Sequence, residues 1–253
     1  METLFIGREL IEIPVFSSSN TYLVDLIKKT SVIEGLVVWA RQQTGGRGQR
    51  GNSWESEKDK NLTLSIAIFP SFLDVANQFL INKIASLAIS DFVKHRLLIE
   101  GISPDLVKIK WPNDIYIKSE KISGILIENS LRANQIQSSV IGIGLNINQD
   151  LFKIKGAKPT SLKIISGKDS DLKLCLEALC SFMEMRYLQL KSSKIELINK
   201  AYEKLLYKFM VWNNYSLHGK THNARIIGTS PQGKLILELE TKEIIECGIK
   251  EIT

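Results

Sequence analysis

Between Thr44 and Lys60 the chain carries one apolar side chain, Trp54, together with four glycines (Gly45, Gly46, Gly48, Gly51) and seven charged residues. No helical or alternating apolar period fits such a stretch, so it folds as neither helix nor strand. Its flanks do the opposite. Leu36 to Ala40 reads as a buried strand, and Asn61 to Phe69 alternates Leu62, Leu64, Ile66 and Ile68 as a second one. The chain must therefore leave a core, run exposed for a long interval and return. A structureless loop of that length inside a compact unit is usually a functional one.

The remaining segments supply that core. Asn20 to Lys29 places Tyr22, Leu23, Leu26 and Ile27 at helical spacing, with Ser19 or Asn20 as cap, and Val75 to Leu98 predicts a long helix. Short β-branched runs at Val107 to Lys110, Ile115 to Lys118, Ile122 to Glu128 and Ser138 to Leu145 predict a sheet. Two amphipathic helices follow, Asp169 to Lys191 (capped by Asp169 or Ser170) and Lys194 to Tyr207. After Trp212 the texture changes to short strands, Tyr215 to Leu217, Asn223 to Ile227, Lys234 to Glu240 and Glu243 to Cys247, with Gly219, Gly228 and Gly233 between them. That spacing predicts a small barrel of about 40 residues. The expectation is an α+β chain of two units, 1–212 and 213–253.

Composition narrows the function classes. With 253 residues, 44% hydrophobic and 24% charged, the chain is not a disordered tail. No apolar run approaches the ~20 residues that span a bilayer, and the N-terminus lacks a basic-then-apolar leader. A soluble cytoplasmic protein without a membrane partner is expected. Cys175, Cys180 and Cys247 show no CxxC spacing, and His95, His218 and His222 have no partners in sequence, so all six read as structural or surface residues rather than metal ligands. The net charge of +6 is scattered over 25 Lys and 8 Arg and implies only a modest preference for acidic partners.

Three clusters carry chemistry. Gly46-Arg47-Gly48-Gln49-Arg50-Gly51 fits GxGxxG but is followed by Asn52-Ser53-Trp54-Glu55, which has no helical period, so the dinucleotide-binding context is missing. What remains is backbone N–H groups that glycine exposes to an anion, with Arg47 and Arg50 as fork donors; a plain surface loop also fits. Lys110-Trp111-Pro112-Asn113-Asp114 joins two short strands and sets a cation, an indole, an amide and a carboxylate within five residues. A Lys110 to Asp114 ion pair over a packed Trp111 is the alternative reading. In Lys121-Ile122-Ser123-Gly124-Ile125-Leu126-Ile127-Glu128 a lysine opens a buried strand, and Gly124 leaves room for a ligand or another backbone.

Taken in order, Ser18-Ser19-Asn20, Gln43, GRGQRGNSW (46–54), KWPNDIY (110–116), KISGILIE (121–128) and IGIGLNIN (141–148) resemble the biotin protein ligases, by motif from about Phe16 to Asn148 and by layout to the end. The resemblance implies a mixed-sheet catalytic domain of the biotin/lipoate ligase type, akin to class II aminoacyl-tRNA synthetases, with a C-terminal SH3-like β-barrel. It implies two steps: biotin and ATP give biotinyl-5′-AMP and pyrophosphate, then a lysine of a carboxylase's biotin carboxyl carrier domain attacks the mixed anhydride. Ser18, Ser19, Asn20 and Gln43 would contact biotin, with Gly124 beneath it. Arg47, Gly48 and Gln49 would line its carboxylate and the phosphate. Lys121 would be the main cation, Asp114 would orient or deprotonate the incoming lysine, and Lys110, Asn113 and Arg50 would support the phosphate side. Trp54 would pack over the ligand, Asn146 would sit at the adenylate edge, and Gln149 to Lys158, with Phe152 as its lone aromatic, would order over adenine. Mg²⁺ would enter with ATP, without a dedicated acidic cage.

Two features depart from the family pattern. Gln49 and Asn52 stand where arginines are usual. Only 17 residues precede Ser18, too few for the winged helix-turn-helix of members that double as repressors, so no DNA partner is expected. Pairing of two copies through the central sheet is compatible with the resemblance. The alternatives are a lipoate ligase, whose RRxSGGG-type segment is absent here, and a non-catalytic interaction protein.

Overall fold

In the computed structural model, which describes residues 3–153, 157–217, 219–249 and 251–252, the alternating run after the polar loop is a strand buried over its whole length. The chain runs β1 (Leu10–Ile13), α1 (Ser19–Lys29), β2 (Val37–Ala40), β3 (Leu62–Ile68), α2 (Phe79–Ile99), β4 (Val107–Lys110), β5 (Asp114–Ile117), β6 (Glu120–Arg132), β7 (Gln135–Leu145), α3 (Leu162–Ser166), α4 (Leu172–Lys191) and α5 (Ile195–Leu205). The first seven strands form one sheet in the order β1-β2-β3-β7-β6-β5-β4, antiparallel except for the β1–β2 pair. The β-branched runs expected between 107 and 145 are thus half of a larger sheet, joined to the first half by β3 against β7.

Strand alternation divides the side chains between the two faces. Trp39, Leu64, Ile66, Ile141 and Ile143 belong to the main apolar core with α2 and α4. Val38, Ala67 and Val140 face the other way, under Leu23 and its neighbours on α1. This second face is only partly covered, since α1 contacts β2, β3 and β7 alone among the strands with substantial contacts. Towards the start of α1 and beyond it this face carries Ser65, Gly142, Gly144 and Gly124 in place of bulky apolar residues.

Several local expectations shift. The cap position of α1 is Ser18, which makes no side-chain cap bond, so Ser19 and Asn20 fall in the first turn instead of capping it. Asp171, not Asp169 or Ser170, caps α4, its Oδ1 accepting from Leu174 N at 2.9 Å. The helix expected from Val75 begins at Phe79, after a 3₁₀ turn over Val75–Asn77. At the N-terminus the buried Glu184 carboxylate of α4 accepts from the backbone N–H groups of Leu4, Phe5 and Ile6 at 2.7, 2.7 and 2.9 Å. Gly35, at φ +88°, lies against this segment, where a Cβ would come 2.6 Å from Phe5 O.

The C-terminal strands β8 (Trp212–Leu217), β9 (Lys220–Thr229), β10 (Leu235–Leu239) and β11 (Ile244–Cys247) form an antiparallel sheet in the order β11-β10-β9-β8. A bridge between Ile252 and Leu217 brings the chain after β11 back to β8, as a small SH3-like barrel requires. Its inner face (Leu217, Ala224, Ile226, Leu237) continues into the main core, and Trp111 Nε1 donates to Gly233 O at 2.9 Å. The cysteines are free and buried, His218 lies outside the described residues, and no helix among the described residues is long and apolar enough to cross a membrane.

Candidate active site

The open face of the sheet is floored by glycine because other parts of the chain lie directly on it. Gly124 pairs with Gly144 and Leu126 with Gly142 across β6 and β7. A Cβ at Gly144 would overlap the Trp54 indole, and one at Gly142 would overlap the Asn20 side chain. The start of α1 and the polar loop therefore meet over the strands that carry the third sequence cluster.

One wall comes from the first turn of α1. Ser18, Ser19 and Asn20 are buried, and Ser19 N donates to Gln43 Oε1 at 2.8 Å. The polar loop folds back over this wall. Arg47 bridges Ser53, Gln49–Gly51 make a 3₁₀ turn, and Trp54 N donates to Gly46 O at 2.9 Å. Gly46 packs against Trp54, where a Cβ would come 2.5 Å from its carbonyl oxygen. No helix opens after the GxGxxG segment, in agreement with its missing periodicity. The Arg47 guanidinium is turned to the wall itself, donating to Glu128 Oε2 at 3.1 Å and to Thr21 Oγ1 at 3.2 Å.

Lys121 and Asp114 meet at the centre, Nζ to Oδ1 at 2.7 Å, with the ammonium 5.6 Å from the Trp54 ring centroid. These groups stand between two cavities. The first, about 240 Å³, holds Ser18, Ser19, Asn20, Gln43, Gly48 and Gln49 on its lining, with Arg47, Asn113 and Gly124. The second, about 340 Å³, adds Glu55, Asn146, Phe152 and Pro159. Asn52, Ser53, Trp54, Asp114 and Lys121 line both. Asn146 spends Nδ2 on Thr160 O at 2.9 Å, while its Oδ1 and the Trp54 Nε1 are buried without a partner. Buried polar atoms are rarely left unpaired, so an acceptor and a donor here await a ligand or water. Lys153 N donates to Glu55 Oε2 at 3.1 Å, which ties the segment after Gln149 to the loop.

Two expected site residues are placed differently. Asn113 gives its Nδ2 to Ile125 O at 2.7 Å, so its amide braces the strand. Lys110 lies 5.3 Å from the Tyr116 ring and lines a groove against the C-terminal sheet, in neither cavity; it does not pair with Asp114. The Arg50 side chain and residues 154–156 lie outside the described part of the structure. Ser65, Thr21, Glu128, Gly142 and Gly144 were not singled out in sequence as site residues. Two of them had a visible signal, a Gly-x-Gly within a strand, which marks close approach of another group. Among the described residues no group of three or more His, Cys, Asp or Glu could hold a metal.

A cleft with two chambers on the open face of a mixed sheet, and one lysine at their junction, defines a carboxylate-activating ligase domain. The chain belongs to the biotin/lipoate A/B protein ligase family, whose model matches residues 12–146. Along its full length it is 29% identical to the bifunctional ligase/repressor BirA of Bacillus spizizenii, covering 74% of that protein. It is 29% identical over 142 residues to the biotin–[acetyl-CoA-carboxylase] ligase of Mycobacterium tuberculosis, 56% of this chain and 50% of that one. The fold matches a biotin protein ligase from Aquifex aeolicus solved with biotin and ATP, at TM-score 0.76 and 25% identity over 97% of this chain and 98% of that one.

Proposed function

We propose that this chain is a biotin protein ligase: it joins biotin to ATP as biotinyl-5′-AMP and then passes biotin to a lysine of a biotin carboxyl carrier domain. The observation that carries the reading is the pair of cavities that share Lys121, Asp114 and Trp54, one lined by Ser18, Ser19, Asn20 and Gln43, the other by Asn146 and Phe152. Biotin takes the first and adenylate the second, with the carboxylate meeting the α-phosphate at Lys121.

In the first step a biotin carboxylate oxygen bonds to the α-phosphorus, and the bond to pyrophosphate breaks. Two anions approach one another, so the useful groups are preorganised cations and N–H donors, which Lys121 and the backbone of the glycine-rich loop supply. In the second step the neutral amine of the acceptor lysine attacks the acyl carbon and AMP leaves; Asp114, beside Lys121, orients that amine and accepts its proton. Trp54 separates the chambers and its unpaired Nε1 is available to the adenylate, as is Asn146 Oδ1 to a donor on the adenine. Mg²⁺ would enter with ATP and help neutralise the phosphate charge, without a dedicated acidic cage among the described residues.

In this reading residues 1–212 supply nearly all of both cavities, Ile249 also lines the first, and 213–253 border the acceptor's approach. The protein acts in the cytoplasm, and pairing of two copies through the central sheet is compatible with this reading. Exchange of labelled pyrophosphate into ATP that depends on biotin, and not on lipoate, tests the reading; no exchange with either would overturn it.

A further inference from the structure

We propose that Glu128 is a positioning residue that fixes the hydrogen-bond polarity of the biotin wall through a relay of four side chains; this rests on the reading of the first cavity as the biotin site. Glu128 lies on β6 two residues beyond Leu126, at the end of the glycine-floored face. Its Oε2 accepts from Asn20 Nδ2 at 2.8 Å. The other Nδ2 proton of Asn20 goes to Leu126 O at 3.1 Å. Asn20 Oδ1 lies 2.5 Å from Ser65 Oγ, which in turn lies 2.7 Å from Ser19 Oγ.

Proton counting then orients every member. An ionised carboxylate only accepts, so the Asn20 amide must turn its NH₂ towards Glu128 and its oxygen towards Ser65. Ser65 has one proton and must give it to that oxygen, which leaves it an acceptor for the proton of Ser19. Ser19 Oγ has thereby spent its donor inward and shows the cavity lone pairs. Its backbone N–H is also spent, on Gln43 Oε1. A wall that presents acceptors suits the ureido N–H groups of biotin. Ser19, Asn20 and Ser65 are all buried, so water does not readily substitute for a missing link. The Arg47 guanidinium, 3.1 Å from the same Oε2, holds the carboxylate in place but takes no part in the relay.

Biotin affinity measured by calorimetry on the purified full chain tests this, with circular dichroism to confirm folding and exchange at saturating biotin to report turnover. Glu128→Met removes the acceptor, and about tenfold weaker binding is expected, with turnover at saturation within about threefold of the wild type. Glu128→Gln keeps one acceptor oxygen for Asn20 and is expected to restore affinity to within about threefold. Ser65→Ala cuts the relay at a small buried position that should fold whatever the Met variant does, and is expected to weaken biotin in the same range as Glu128→Met. Unchanged affinity in Ser65→Ala or in folded Glu128→Met overturns the relay. So does a Glu128→Gln variant as weak as Glu128→Met, because that result assigns the effect to the Arg47 charge pair. A wild type that binds no biotin sinks the functional reading, and the relay with it.

Discussion

Lys121 Nζ stands 2.7 Å from Asp114 Oδ1, the only ion pair that joins the two cavities among the described residues. Register alone does not dictate it: Asp114 is paired with Gly124 and Lys121 with Tyr116, but the ladder shifts between Ile115 and Tyr116. Such an irregularity re-aims side chains, and here it brings the ammonium back to the carboxylate.

Lys121→Ala is expected to lower biotin-dependent exchange by about 10²–10³-fold, as for loss of one preorganised donor to developing charge. The Lys121 side chain is a quarter exposed, so little stability should go with it. Exchange and thermal unfolding measured on the same preparation separate these effects. Near wild-type exchange in a folded variant would remove Lys121 from the chemistry.

Gly144→Ala is expected to displace the Trp54 indole, since its Cβ would occupy the ring's place, and to raise the Michaelis constants for both ATP and biotin. Overpacking of this kind costs about 1–3 kcal/mol. The diagnostic is a double-mutant cycle: in a Trp54→Ala background the same change should be nearly silent. Additive effects would mean that Gly144 matters for some reason other than the indole.

Glu184→Leu is expected to lower stability by about 3 kcal/mol, because three N–H groups at residues 4–6 lose one buried charged acceptor. Urea unfolding reads the loss. The core side of the sheet separates Glu184 from the cavities, so turnover per folded molecule should hold.

Lys83 supplies a pH test. Burial holds its pKa down at about 8 despite the nearby Glu203, and its ammonium donates to Asn199 Oδ1 at 2.8 Å between the rings of Phe79 and Tyr202. A folded pKa below the unfolded 10.5 means that between about pH 8 and 10.5 the unfolded chain binds the extra proton, so stability rises with pH across that window. Relative to Lys83→Met, the wild type should gain up to about 3 kcal/mol between pH 7.5 and 10.5. Parallel stability curves for the two proteins would show that the lysine is not held in this way.

How much of this was readable beforehand depends on distance along the chain. The polar loop, β3, the long helix and the C-terminal strands follow from local pattern. β1 (Leu10–Ile13) and the five-residue α3 were not anticipated. The motifs named most of the cleft, but not the partners that orient it. Ser65 is one of two polar residues in an otherwise apolar strand, and its use becomes visible only when α1 lies across it. Lys110 and Asp114 are close in sequence and paired in register, yet Lys110 turns to Tyr116 because Asp114 is taken by a lysine from the next strand. Side-chain choice among several neighbours is a tertiary outcome that spacing does not encode.

Gln49 carries the last prediction. It lines the first cavity beside Asn52, and both stand where the family pattern has arginine, so this loop offers amides at two places where cations are usual. An amide can donate to a phosphate oxygen but adds no charge, and charge-assisted hydrogen bonds are about twice as strong as neutral ones. Gln49→Arg is therefore expected to slow release of biotinyl-5′-AMP from the enzyme by about tenfold, equivalent to roughly 1.4 kcal/mol, when no acceptor is present. Release is timed by trapping free adenylate after mixing enzyme, biotin and ATP. The Arg47 guanidinium does not cover for the missing charge, because Glu128 and Thr21 already hold it against the wall. An unchanged release rate would mean that the phosphate is neutralised elsewhere, with Lys121 the first residue to examine.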